Sequence, residues 1–162
     1  MADPKQVLAA AIEFEMFGVE YYWRFNTLVA DDKAKALMKS LSNDEKDHAA
    51  LLERELKALG GAVSKPPKEL LEKGLAEIFS RDVKKDTITV NDAISAIKVG
   101  IQTEQNSIDF YSKNGRGADG SLKELFAKLQ KMEEGHKDLL EENLRSLKDD
   151  GVWYGYVPIL EG

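Results

Sequence analysis

Apolar residues recur every three or four positions through four long stretches of the chain, and the ends of each stretch carry residues that start or stop helices. In the first stretch Leu8, Ala11, Ile12, Val19, Tyr22 and Val29 share one face, which predicts a helix over residues 4–30. Asp3 suits the cap. Pro4 suits the first helical position, where a missing N–H costs nothing, and Gln6 lies three residues beyond the cap. Asp31-Asp32 leaves room for only a tight connection before a second helix over 32–59. Its stripe is Ala34, Leu37, Leu41, Leu52 and Leu59, and Gly60-Gly61 stops it. Ile97, Ile101, Ile108 and Tyr111 define a third helix over 91–113, ended by Asn114-Gly115. Ser121 and Glu124 read as a capping box for a fourth helix over 121–149, which turns Leu122, Leu125, Leu129, Leu140 and Leu147 inward and stops before Gly151. Gly115, Gly117 and Gly120 mark the turn between helices three and four. The pattern predicts an all-α fold built from two helical hairpins.

Residues 60–90 join the hairpins. They hold Pro66-Pro67, a short amphipathic stretch over 68–81 and a β-branched run over 87–90. That is too long for a hairpin turn and suits the long crossover of a four-helix bundle. The hairpins also match each other. Aligning Glu15 with Glu104 pairs Ile12 with Ile101, Val19 with Ile108 and Tyr22 with Tyr111. Aligning His48 with His136 pairs Leu37 with Leu125, Leu41 with Leu129, Glu45 with Glu133, and Leu51-Leu52 with Leu139-Leu140. The offsets, 89 and 88 residues, are nearly constant, as an internal duplication requires. A pseudo-two-fold site is the expected consequence.

The chemistry-bearing residues repeat with the hairpins. The two histidines of the chain, His48 and His136, each follow a glutamate by three positions, Glu45 and Glu133. Glutamate supplies 16 of the 162 residues, so chance would place it there twice in about one chain in a hundred. Glu15 and Glu104 lie within the apolar stripes of helices one and three, whereas Glu13, Glu20 and Glu134 point the other way. A lone Glu-x-x-His on a helix is usually a solvated pair, and a lone glutamate near a stripe usually keeps its head in water. Glu55 reads as such a boundary residue. Two pairs and two in-stripe glutamates at duplicate spacing reverse those odds.

Four carboxylates and two imidazoles inside a bundle would be strongly unfavourable unless their charge were cancelled. Two divalent ions supply +4 against the −4 of the glutamates. Each i, i+3 pair puts an imidazole nitrogen and a carboxylate one turn apart on the same face, so both can reach one ion. Glu15, Glu45, His48, Glu104, Glu133 and His136 thus read as six ligands for two metal ions. Nitrogen and oxygen ligation without thiolate favours iron or manganese, with zinc also accommodated. Tyr22 and Tyr111 fit as core aromatics; the alternative is that their hydroxyls bond the ligand carboxylates.

Composition narrows the rest. A chain of 162 residues fits one domain with a real core. Its net charge of −6 disfavours nucleic acid and anionic membrane surfaces as partners. No apolar run is long enough to span a bilayer, and Met1-Ala2-Asp3-Pro4 does not open like a signal peptide, so a cytoplasmic location is expected. The absence of cysteine excludes thiolate-held zinc, iron-sulfur clusters and a rubredoxin-type iron site within these residues.

With Glu15, Glu45, His48, Glu104, Glu133 and His136 in this order, the chain resembles the ferritin-like superfamily of carboxylate-bridged diiron four-helix bundles, and within it the rubrerythrin-like proteins. The resemblance covers residues 5–57 and 91–147. It implies two iron ions per chain, with Glu45 and Glu133 bridging, Glu15 and Glu104 terminal, and His48 and His136 each on one iron. Rubrerythrins carry a further glutamate one turn after the helix-three ligand. Ser107 stands there, with Gly18 as its helix-one counterpart, so the ligand set is similar to that of bacterioferritin. Without a rubredoxin-like domain, the resemblance implies an external electron donor, such as a rubredoxin-type protein.

The function so implied is an oxidoreductase that reduces hydrogen peroxide or dioxygen, each iron providing one electron. A homodimer is expected. The second reading is a ferroxidase that feeds an iron store. Against a conventional ferritin shell, residues 150–162 are short and contain Gly151, Gly155 and Pro158. Trp153, Tyr154, Tyr156, Val157, Ile159 and Leu160 of that tail suit docking on the bundle or on a partner subunit. A hydroxylase of an organic substrate and a metal-free structural bundle are the remaining alternatives.

Overall fold

Four helices appear in the order the apolar pattern dictates, in a computed structural model that describes residues 3–63 and 89–155. They are α1 (Pro4–Leu28), α2 (Asp32–Ala58), α3 (Val90–Arg116) and α4 (Gly120–Asp150). Each packs chiefly on its hairpin partner, α1 on α2 and α3 on α4, and the hairpins meet through α1 against α3 and α2 against α4. This is a ferritin-like four-helix bundle. The expectations for residues 64–88 of the crossover and for 156–162 of the tail lie outside the described residues.

The helix ends differ from the sequence reading for local reasons. Helix α1 stops at Leu28, not near residue 30, because Val29 is already extended and Asp31 turns its carboxylate onto Ala34 N (3.0 Å) to cap α2. Leu56 is the last residue of α2 in the core. Leu59 follows as the C-cap, 44% exposed rather than inward, as Gly60 turns the chain away in the left-handed region (φ +77°). Thr89 caps α3 by accepting from Asp92 N (3.1 Å), so the helix opens at Val90. It continues through Asn114-Gly115 to Arg116, and Asn114 donates to the carbonyl of Phe110 (2.8 Å) instead of breaking the turn. The capping box at Ser121 is not formed. Asp119 holds the cap position of α4 without a side-chain bond, Gly120 makes the corner at φ +57°, and Ser121 Oγ donates to Glu55 Oε2 (3.4 Å).

The apolar core is divided in two. One cluster joins Leu8, Ile12, Leu52, Leu56, Phe126 and Leu129 at one end of the bundle. The other joins Phe25, Leu37, Leu41, Ile97, Leu140 and Leu147. Tyr21 and Phe25, which the helix-one stripe omits, are fully buried in the second cluster, and the Tyr21 hydroxyl donates to the Ala96 carbonyl across the hairpins. The start of the tail docks there too. Trp153 stands edge-on to Phe25 (5.9 Å), whereas Tyr154 is 50% exposed. Asn143 Nδ2 donates to the Gly155 carbonyl (3.1 Å) and Asn143 Oδ1 accepts from Gly155 N (2.7 Å). Replacing Asn143 with alanine leaves both groups of Gly155 buried and unpaired. Urea denaturation should show a loss of about 1–3 kcal/mol.

Candidate metal centre

The gap between the two apolar clusters is filled by a polar layer one helical turn thick. Each helix contributes to it. Glu15 comes from α1, Glu45 and His48 from α2, Glu104 from α3, and Glu133 and His136 from α4. All six are buried, His136 being the most exposed at 7%. Glu13, Glu20 and Glu134, on the opposite faces of their helices, are exposed. The structure therefore brings together all six residues that the sequence singles out.

They form two overlapping quartets. Ligand atoms of Glu15, Glu45, His48 and Glu133 lie within 4.8 Å of one another, and so do those of Glu45, Glu104, Glu133 and His136. Glu45 and Glu133 belong to both. His48 turns Nδ1 to Glu133 Oε1 (2.9 Å), Glu15 Oε2 (3.4 Å) and Glu45 Oε2 (3.5 Å). His136 turns Nδ1 to Glu45 Oε1 (3.1 Å), Glu133 Oε2 (3.3 Å) and Glu104 Oε1 (3.7 Å). Apart from these longer imidazole approaches, Glu15 Oε2 and Glu133 Oε2 are buried with no hydrogen bond from the described residues. Oxygen atoms so placed are left with lone pairs that only a proton or a cation can use, and the all-oxygen-and-nitrogen donor set fits iron, manganese or zinc.

Each tyrosine serves as both core aromatic and hydrogen-bond donor. Tyr22 on α1 donates to Glu104 on α3, and Tyr111 on α3 donates to Glu15 on α1 (2.5 Å). The two bonds cross the hairpin interface in opposite directions and fix the two unshared carboxylates. Gly18 makes room for a shared one: a Cβ there would lie 3.1 Å from Glu45 Cγ. Ser107, its counterpart, is also buried. Asp44, which sequence reasoning missed, has Oδ2 at 3.0 Å from His136 Nε2. Its only signal was adjacency to Glu45, and the contact crosses from one hairpin to the other.

Burial and mutual repulsion decide the protonation of the layer. Burial and the charges of Glu15, Glu104 and Glu133 push Glu45 well above the usual carboxyl range. Burial and Glu133 push Glu104 up to about 8. Burial opposes charge on His48, but the facing carboxylates of Glu133, Glu15 and Glu45 outweigh that and carry it up to about 12; burial is likewise outweighed at His136, by Asp44 first and then by Glu104, Glu133 and Glu45. Glu133 moves down, because Glu104, His136 and His48 around its carboxylate overcome its burial. Burial, reinforced by Glu104 or Glu15, keeps Tyr22 and Tyr111 neutral donors. Without cations, protons neutralise the layer.

This gives a signed pH dependence. The stability contributed by protonated Glu104 is complete below its ordinary value of 4.5 and is lost as pH rises to about 8. That from charged His48 is complete below 6.5 and is lost as pH rises toward about 12. Calorimetry of chelator-treated protein should therefore show a melting temperature that falls from about pH 5 to about pH 8. Excess divalent metal should remove or reverse that fall, because metal competes better as the ligands lose protons.

Comparison with known proteins agrees with this geometry. No curated protein matches the chain significantly in sequence. Among solved structures it is similar to the bacterioferritin-related protein of Bacteroides fragilis, described as a dodecameric thioferritin (TM-score 0.70, 19% identity, 90% of this chain and 88% of that one). It is also similar to a hypothetical protein from Pyrococcus furiosus (TM-score 0.65, 21% identity, 91% of each chain). At such identities these likenesses speak for the fold. No helix among the described residues is long and apolar enough to cross a membrane. The rubrerythrin family model matches residues 6–144, most of the chain and both halves of a polar layer that fits a diiron site, and the chain belongs to the rubrerythrin family.

Proposed function

We propose that this chain is a non-haem diiron oxidoreductase that reduces hydrogen peroxide or dioxygen with electrons from an external donor. The observation that carries the reading is the pair of overlapping quartets sharing Glu45 and Glu133. In this reading Glu45 and Glu133, common to both quartets, would help to hold both ions, Glu15 and Glu104 would each serve one, and His48 and His136 would each supply one nitrogen. Two bound irons would each supply one electron by passing from ferrous to ferric. The remaining work belongs to the protein. Tyr22 and Tyr111 hold the terminal carboxylates in place, and the two apolar clusters keep bulk water from the layer. The surface hollow lined by Ala10, Phe14, Phe17 and Thr103 and the one lined by Met16, Val19, Ala49 and Glu53 include none of the six. A small oxidant suits such a closed site better than a bulky organic substrate.

The 162 residues hold no cysteine for an iron–thiolate site, so in this reading the electrons would come from a carrier outside these residues, such as a rubredoxin-type protein. A homodimer in the cytoplasm completes the proposal. Iron oxidation feeding a store is the second reading, favoured by the likeness to a protein described as a dodecameric thioferritin. Native mass measurement separates them, since a dimer agrees with the first reading and a closed shell with the second.

Anaerobic reconstitution should load about two irons per chain. Rapid mixing should then show oxidation by peroxide that is faster than by dioxygen. His48→Ala and His136→Ala should each lower loading to about one iron per chain and slow turnover by at least about tenfold, the lower end for lesions around a metal site. Full loading and unchanged turnover in either variant would refute the ligand assignment.

A further inference from the structure

The duplication that pairs His48 with His136 and Glu45 with Glu133 does not pair Asp44 with an acid. The residue 88 positions on is Met132. In other respects the two imidazoles are placed alike. Their rings are nearly parallel (18°) with centroids 5.6 Å apart, and both turn Nδ1 into the layer. Their outer nitrogens differ. His136 Nε2 lies 3.0 Å from Asp44 Oδ2, whereas His48 Nε2 is buried with no hydrogen-bond partner among the described residues.

The difference has a definite sign. An imidazole that binds a cation through Nδ1 keeps its proton on Nε2. At His136 that N–H donates to a carboxylate, which fixes the ring and makes Nδ1 a stronger donor to the metal. At His48 the same N–H has no acceptor, so its desolvation is uncompensated. Nothing else described distinguishes the two positions as sharply. They share Glu45 and Glu133, each unshared carboxylate accepts from a tyrosine, and Gly18 lies against the shared Glu45.

We propose that Asp44 makes the two cation positions unequal, so that the one among Glu45, Glu104, Glu133 and His136 binds a divalent ion more tightly and fills first. The proposal rests on the two-metal reading above. Asp44 acts through His136 and is a positioning residue. Its side chain is 41% exposed, so its removal leaves the apolar clusters intact.

Calorimetric titration of metal-free protein with ferrous ion under anaerobic conditions tests this without relying on turnover. Wild type should show two steps separated by about 10–100-fold in affinity. Asp44→Ala should weaken the tighter step by about the same factor and leave the weaker step and the helical content unchanged. Asp44→Asn, which keeps an acceptor but loses the charge, should fall between. In a His48→Ala background Asp44→Ala should still weaken the remaining step. In a His136→Ala background it should have no effect, a distinction that a general loss of stability would not produce. Two equal steps in wild type, unmoved by Asp44→Ala, would overturn the inequality and leave the two-metal reading standing. Failure of wild type to take up ferrous ion at all would overturn both.

Discussion

Charge cancellation within one buried layer is the constraint from which the rest of this structure follows. Four carboxylates and two imidazoles are buried together with no lysine or arginine among the described residues paired to them, and an unneutralised set would cost far more than a domain's whole margin of stability. The layer therefore always holds positive charge, as protons on the imidazoles and on Glu45 and Glu104, or as bound cations. The apolar clusters on either side set the stakes by lowering the local dielectric, which strengthens attraction and repulsion alike.

The bundle meets this constraint by an arrangement that a single hairpin could not supply. One turn of α2 places Glu45 beside His48, and one turn of α4 places Glu133 beside His136. The closest partner of each imidazole within the layer is nevertheless a carboxylate of the other hairpin, Glu133 for His48 and Glu45 for His136. The tyrosine bonds cross in the same way between α1 and α3. Each hairpin thus completes the other's half of the site, and the layer that would drive the hairpins apart, if uncompensated, ties them together.

Much of this was legible because two independent periodicities coincide. The helical repeat put Glu15 and Glu104 inside apolar stripes, and the offset of 88 or 89 residues repeated them with their Glu-x-x-His partners. Either signal alone would have left Glu45 as a solvated acid. What escaped was set by contacts between elements rather than by sequence along one element. Asp44 lies at the edge of its stripe, and its meaning comes from a ring on the opposite hairpin. Tyr21 sits beside Tyr22, where a narrow stripe admits only one of them, but the close approach of α3 at Gly100 leaves room for both. Ser121 had the spacing of a cap, and the left-handed Gly120 moved the helix start ahead of it. Leu59 matched the period after the chain had already begun to turn away.

The same contacts would let the layer exchange protons for cations within the bundle as it stands. Glu104 and Glu15 are held by Tyr22 and Tyr111, His136 by Asp44, and Glu45 by the close floor that Gly18 provides. Each of these supports comes from a residue outside the six. The side chains are preorganised by groups outside the layer, so bound cations would replace one set of positive charges by another within an existing frame. His48 is the exception, because its outer nitrogen has no partner among the described residues. The duplication supplied two equivalent rings, and the difference between Asp44 and Met132 is where that equivalence ends.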